Sequence, residues 1–293
     1  GRPDHHENPM PHDSSPPGAT ATFTFTAPDF ERVRKLIYAR AGIKLNDSKQ
    51  NMVYSRLTRR IRSLGLTSFG AYLDRLEREG GAEWQEFVNA LTTNLTAFYR
   101  EQHHFPMLAD LVREGGTTPA IWCSAASTGE EPYSIAMTVA DNLPRGGKAR
   151  IVATDIDTNV LATARRGVYP DEAVRPVPPD QLRRHFLRGN GPNGGLVRAR
   201  PALAQMVDFR PLNLLDPNWD VKGPFDAIFC RNVLIYFDKP TQKRVLERMA
   251  ELLRPGGLLF IGHSENLTDR RDLYKLRGKT AYERVGAEAR AAA

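Results

Sequence analysis

The sequence predicts an α/β chain in which an all-helical N-terminal domain precedes a Rossmann-like parallel sheet carrying a small antiparallel β insertion. Three observations predict it. Up to about Leu95 the apolar residues recur every three or four positions, the period of a helix with one buried face. From Ala120 short apolar runs alternate with helix-length segments, the pattern of parallel strands covered on both faces. Between Gly167 and Gln205 that alternation fails.

The elements follow in order. Residues 1–21 hold Pro3, Pro9, Pro11, Pro16 and Pro17 with almost no apolar side chains, so they cannot bury enough surface to offset their ordering entropy and read as a disordered tail. His5, His6 and His12 in that tail read as solvated. Residues 22–95 form the helical domain. Pro28-Asp29-Phe30 opens a helix with Val33, Leu36, Ile37 and Ala41 on one face, and Gly42 ends it. A second helix spans Ser48 to Leu64 with Met52, Val53, Leu57 and Ile61 inward. Two more fit Ser68–Glu79 and Ala82–Leu91.

Residues 96–288 form the sheet domain. Strands are expected at Ala120–Cys123, Arg150–Thr154, Val207–Phe209, Phe225–Cys230 and Leu258–Ile261, with helices near Tyr133–Asn142, Asn159–Arg166 and Thr241–Leu253. Pro170, Pro176, Pro178, Pro179 and the loop Gly189–Gly195 mark 170–206 as an insertion built around Leu196–Arg200.

Composition narrows the function classes. At 41% hydrophobic and 26% charged the chain has the make-up of a globular protein with a real core. It has no apolar run long enough for a bilayer and no signal-peptide pattern. It begins at Gly1, so a native start upstream is expected. Cys123 and Cys230 each sit in an apolar strand and read as buried free thiols, which suits the reducing cytoplasm. A net charge of +7 calls for an acidic partner, whether nucleic acid, anionic lipid or protein.

The first strand runs into Ser124-Ala125-Ala126-Ser127-Thr128-Gly129-Glu130-Glu131-Pro132. Small residues there let the backbone approach a ligand, and in such sheets ligands bind beyond the carboxyl ends of the strands. Asp155, at the end of the second strand, is placed to accept hydrogen bonds from both ribose hydroxyls of an adenosine cofactor; its alternative is to cap the next helix. The loop lacks the glycine fingerprint of dinucleotide sites and the Walker lysine. Its two carboxylates would repel phosphate but tolerate a sulfonium with an amino-acid tail, which favours S-adenosylmethionine over NAD or ATP.

Five segments in this order resemble the CheR family of receptor glutamate methyltransferases: Thr92–Glu101, Ala125–Ser134, Ala153–Asp157, Phe225–Phe237, and Leu253–Gly257 continued by Gly262–Asn266. The resemblance covers nearly everything from Phe30 to Val285, with Tyr99 standing where members often carry Phe. It implies an S-adenosylmethionine methyltransferase fold and methyl transfer to receptor glutamates, with S-adenosylhomocysteine as product and no metal. By that resemblance Asn94, Thr96, Arg100 and Glu131 meet the methionine moiety, with Glu130 the second choice between the adjacent acids. Asp155 holds the ribose, and Asn213, Leu214, Arg231 and Asn232 line the rest of the cofactor. Arg100 and Tyr236 are the candidates for positioning reacting groups; taken alone they would be a surface ion-pair residue and a core aromatic.

An ionised glutamate is already a nucleophile, so the site needs alignment and exclusion of water in place of a strong base. The adjacent His103 and His104, pointing apart on a helix, are expected to pack or cap, and no zinc spacing is present. Ten basic residues and only Glu31 and Asp47 lie between Phe30 and Arg62. The second helix brings Arg56, Arg59 and Arg60 together, with Arg62 nearby, as a receptor-binding face; a solvated face and a nucleic-acid methyltransferase are the alternatives. The latter is weakened because Arg231-Asn232-Val233-Leu234 stands where an Asn-Pro-Pro-Tyr motif would be. A non-enzymatic S-adenosylmethionine sensor is a third reading. The insertion resembles that of members that bind a receptor's C-terminal peptide, with Arg198 available to a peptide carboxylate. The expected protein is a cytoplasmic monomer that binds methyl-accepting receptors and neither binds nucleic acid nor inserts in a membrane.

Overall fold

The computed structural model describes residues 22–267 and 270–286; the tail at 1–21 with its three histidines, and the last residues of the sheet domain, lie outside the described residues. The helical module comprises α1 (Ala27–Ala41), α2 (Gln50–Ser63), α3 (Phe69–Glu79) and α4 (Ala82–Leu91). Thr26 and Asp29 form a reciprocal capping box on α1, and Gly42 ends it in the left-handed region at φ 71°. Ser68 caps α3 by accepting from the Ala71 amide. Their apolar faces converge on one core containing Phe30, Ile37, Leu57, Phe69, Leu76 and Phe87.

Next come α5 (His104–Glu114), β1 (Ala120–Cys123), α6 (Glu130–Asn142), β2 (Arg150–Asp155) and α7 (Thr158–Arg166). The insertion holds β3 (Val168–Pro170), α8 (Pro179–His185), β4 (Phe186–Arg188), β5 (Leu196–Ala199) and α9 (Pro201–Ala204). The chain returns through β6 (Val207–Pro211), β7 (Phe225–Cys230), α10 (Lys239–Leu252), β8 (Leu253–Ile261), β9 (Tyr274–Gly278) and β10 (Ala281–Arg284).

The main sheet has the order β6-β2-β1-β7-β8-β10-β9. Its first five strands are mutually parallel, and β10 pairs antiparallel with both β8 and β9. Successive side chains of a strand face opposite ways, and the two cores divide on that rule. Ile121, Cys123, Ile151, Ala153 and Phe229 enter one core, while Trp122, Val152, Ile228 and Cys230 enter the other. The two thiols are therefore free, buried and on opposite faces of the sheet.

Three features depart from the sequence reading. The sheet is mixed, because β9 and β10 add an antiparallel hairpin at its edge; β9 alternates little and presents Lys275, Leu276 and Arg277 to solvent. Helix α5 was not anticipated, although Phe105, Leu108, Ala109 and Val112 are spaced for it and buried. Strand β8 starts at Leu253, not Leu258, running through Pro255-Gly256-Gly257. The insertion is a three-stranded antiparallel sheet of order β3-β5-β4, which makes β5 its centre. Among the described residues no helix is long and apolar enough to cross a membrane.

The helical module is sewn to the sheet domain by polar contacts. Asn89 donates to the Thr158 hydroxyl at 2.9 Å and accepts from the Thr158 amide at 3.2 Å. Gln85 donates to the Ile156 carbonyl at 2.8 Å, and the Lys44 amide to the Tyr236 carbonyl at 2.9 Å. These joints place the module over the carboxyl ends of the parallel strands, where ligands of such sheets bind.

Candidate active site

Between the strand ends and the helical module lies a deep cleft. The linker from α4 lines it with Asn94, Thr96 and Arg100, the first turn of α6 with Glu131, and the end of β2 with Asp155. Asn213 and Leu214 follow β6; Arg231, Asn232 and Tyr236 follow β7. All ten residues assigned cofactor or catalytic roles by resemblance thus share one cavity. The helical module adds Lys44, Lys49 and Met52.

The loop after β1 is shaped by Asp155. The amide of Ser127, itself at φ 49°, donates to Asp155 Oδ2 at 2.8 Å, and the Asp157 amide donates to Oδ1 at 2.9 Å. Asp155 does not cap the following helix: Asp157 does, accepting from the Asn159 and Val160 amides. Burial raises the Asp155 carboxyl to about 6 despite those two amides. Ser127 Oγ is buried on the cleft with no hydrogen-bond partner among the described residues. Gly129 closes the loop at φ 104°, and a Cβ there would lie 2.5 Å from the Tyr169 hydroxyl. That hydroxyl donates to the Thr128 carbonyl at 2.7 Å, so the insertion buttresses the loop.

Of the adjacent acids, Glu131 faces the cleft, whereas Glu130 turns to accept from the Thr128 hydroxyl. Glu131 is 6% exposed and accepts from Arg231 Nε at 2.5 Å; Arg231 is 5% exposed. Arg231 also donates to the Arg100 carbonyl at 2.6 Å and meets His104 Nδ1 at 3.2 Å. Burial and the Arg231 charge lower His104 to about 4, so its neutral ring accepts that bond. His103 and His104 do not point apart as expected. Their rings lie 4.2 Å apart and both Nε2 atoms turn to the Lys279 carbonyl and Thr280 hydroxyl in the β9–β10 turn. His103 precedes the helix as its N-cap, which frees its ring from the helical spacing.

Several site-shaping residues carried no assigned role in the sequence reading. Glu265, 8% exposed, accepts from the amides of Asn232, Gly262 and Ile235 at 2.9, 2.7 and 3.1 Å. It thereby folds the post-β7 loop in which Asn232 sits at φ 60°. Arg248 stacks on Trp219 at 3.8 Å and donates to the Asp216 and Pro217 carbonyls, bracing the loop after Asn213-Leu214. Glu265 lies inside a segment already singled out by resemblance; Arg248 leaves no local signal, because its partners are backbone carbonyls about 30 residues away. Arg100 donates to the Leu95 carbonyl at 2.8 Å, and the Tyr236 hydroxyl has no partner among the described residues.

Of the four expected receptor contacts, Arg56, Arg59 and Arg60 share α2 and Arg198 lies on the insertion. Arg60 is clasped by Glu83 at 2.7 Å, and Arg56 donates to the Thr92 carbonyl at 2.6 Å, so both serve the helical module itself. Arg59 is exposed. Arg198 lies, exposed, on the central strand of the insertion sheet.

This donor set fits an adenosine bearing an amino-acid tail. Asp155 presents buried acceptor oxygens, Ser127 an unpartnered hydroxyl, and the Glu131–Arg231 pair offers both signs of charge without a bare phosphate cradle. Comparison with known proteins agrees. Residues 94–282 match the family described as the CheR methyltransferase, SAM binding domain, and residues 28–92 match the CheR methyltransferase, all-alpha domain. The chemotaxis protein methyltransferase of Escherichia coli K12 is 57% identical over 255 residues, spanning 86% of this chain and 89% of that protein. Chemotaxis protein methyltransferase 2 of Pseudomonas aeruginosa is 54% identical over 272 residues, spanning 92% and 97%.

With the Asp155 carboxyl at about 6, the ionised acceptor is lost as pH falls through that value. Affinity for S-adenosylhomocysteine, measured by calorimetry, should rise with pH up to about 6 and then level off. Asp155→Ala should weaken it by about 1.5–3 kcal/mol and remove the pH dependence. Unchanged affinity in the folded variant would take Asp155 out of the site.

Proposed function

Because this chain belongs to the CheR methyltransferase family, we propose that it methylates glutamate side chains of chemotaxis receptors, as a protein-glutamate O-methyltransferase serving adaptation. The observation that carries the reading is the gathering of Asp155, Glu131, Arg231, Arg100 and Tyr236 around one cleft. Bound there, S-adenosylmethionine supplies a methyl activated by its sulfonium, which a glutamate carboxylate takes as a methyl ester, leaving S-adenosylhomocysteine. Asp155 and Ser127 hold the ribose side, Asn213, Leu214 and Asn232 the adenine side, and Asn94, Thr96 and Glu131 the amino-acid tail. Arg100 orients a carboxylate by its charge, and the unpartnered Tyr236 hydroxyl donates to a reacting oxygen. Walls such as Leu45, Met52 and Phe237 exclude water, which strips the carboxylate of competing solvent. No side chain need accept a proton, since the nucleophile is already ionised.

The reading is tested by offering labelled S-adenosylmethionine to chemoreceptor membranes, with RNA in parallel. Label should enter receptors, not RNA, and should be released by alkali as methanol, as an ester requires. Tyr236→Phe should slow a single turnover by roughly three- to tenfold, the worth of one hydrogen bond, at unchanged cofactor affinity. Alkali-stable label, label in RNA, or no turnover at all would overturn the assignment.

As partners we infer two receptor segments, bound by a cytoplasmic monomer. Arg59, exposed on α2, meets the acidic methylation helix. The insertion sheet adds the receptor's C-terminal peptide along an outer strand, β3 or β4, with Arg198 reaching its carboxylate. Such a tether raises local substrate concentration without touching the active site. Arg59→Glu should weaken methylation of receptors with and without the C-terminal peptide. Arg198→Glu should do so only where the peptide is present. Wild-type activity of Arg59→Glu on both receptors would remove the first contact, and wild-type activity of Arg198→Glu on the receptor that carries the peptide would remove the second.

A further inference from the structure

Among the described residues the exposed large apolar side chains are Tyr38, Leu95, Val168, Ile235 and Leu276. Leu95, 79% exposed, lies on the cleft itself, and Ile235, 50% exposed, stands between the cleft-lining Val233 and Tyr236. Both are held where they are by backbone bonds. The Leu95 carbonyl accepts from Arg100, whose own carbonyl accepts from Arg231, and the Ile235 amide donates to buried Glu265. Ile235 sits in a single 3₁₀ turn, Leu234–Tyr236, that also aims the Tyr236 side chain. The framework thus fixes a leucine and an isoleucine in solvent, apolar surface whose burial against a partner is favourable. On the same cleft Lys44 and Lys49 carry no ion pair among the described residues, so whatever covers the leucine and isoleucine meets positive charge beside apolar surface.

We propose that Leu95 and Ile235 form an apolar rim that docks the flank of the acidic receptor helix carrying the methyl-accepting carboxylate, with Lys44 and Lys49 meeting its charge. The inference rests on the receptor-methylation reading above and adds a substrate rule to it. A glutamate reaching into the cleft brings its helix backbone down onto the mouth. Residues one turn away, at three or four positions before and after, then face the rim. The preferred substrate therefore carries apolar side chains one turn from the modified glutamate, with further acidic residues beside it. Tyr38 is excluded from the rim because its hydroxyl is engaged by Asp238.

The test combines binding and turnover with the full-length protein. Leu95→Ser and Ile235→Ser are each titrated against a soluble receptor cytoplasmic fragment without cofactor, and assayed for methylation of receptor membranes. Each substitution should weaken fragment binding and raise the receptor KM about tenfold, with kcat at saturating receptor and S-adenosylhomocysteine affinity within twofold of wild type. Leu95→Met and Ile235→Val should retain wild-type KM, which a lost charge or fold would not explain. Fragment binding and KM unchanged in the double serine variant would overturn the rim while leaving wild-type methylation standing. Absence of methylation by the wild type would overturn the receptor reading and the rim with it.

Discussion

The buried ion pair between Glu131 and Arg231 is the constraint around which the cleft is built. Each charge lies in a nearly dry interior, where an unpaired ion is far costlier than a paired one. Glu131 belongs to the first turn of α6 and Arg231 to the residue after β7, so satisfying the pair draws those elements together. The remaining donors of Arg231 fix the Arg100 carbonyl and His104, which brings the linker and α5 to the same point. A helix N-terminus also favours the carboxylate. Glu101, on the far side of Arg231, is kept ionised against the effect of burial by hydrogen bonds from the His263 amide and ring, and by the Arg231 charge.

A second carboxylate plays the matching part on the other wall. Glu265 gathers three backbone amides of the post-β7 loop and the Gly262 turn, so the chain can hold Asn232 at positive φ without a glycine. Asp155 gathers two more amides and shapes the post-β1 loop. The cleft is thus framed by carboxylates whose oxygens fix backbone. Its remaining polar atoms, such as Ser127 Oγ and the Tyr236 hydroxyl, stay open to ligands. The helical module closes the roof through Asn89, Gln85 and Lys44, and a small molecule and a protein segment can meet where the two modules join.

Much of this was legible in the sequence. β1 and β7 end where the apolar runs end, because near-continuous burial leaves no ambiguity about their extent, and α4 starts where the turn residue Gly81 stops. The loop after β1 and Asp155 were legible because small residues and an acid at strand ends have few other uses. The resemblance brought Arg231 to the cleft, but its tie to Glu131 spans a hundred residues and has no local trace. For the same reason the intramolecular partners of the basic run on α2 left no local trace: Arg60 meets Glu83 on α4 and Arg56 the carbonyls of Ala90 and Thr92, contacts set by helix packing. Arg198 was legible as part of the insertion, but not as a residue of its central strand, since strand order follows from return paths. The β9–β10 hairpin escaped because one strand is exposed along most of its length and carries no strong alternation.

The most direct measurement is a double-mutant cycle on the ion pair, reading S-adenosylhomocysteine affinity by calorimetry in wild type, Glu131→Gln, Arg231→Met and the double variant. If the pair organises the cleft, either single change strands a buried charge and the two losses overlap, giving a coupling of at least about 1 kcal/mol. Losses that simply add would show two independent ligand contacts and contradict the account.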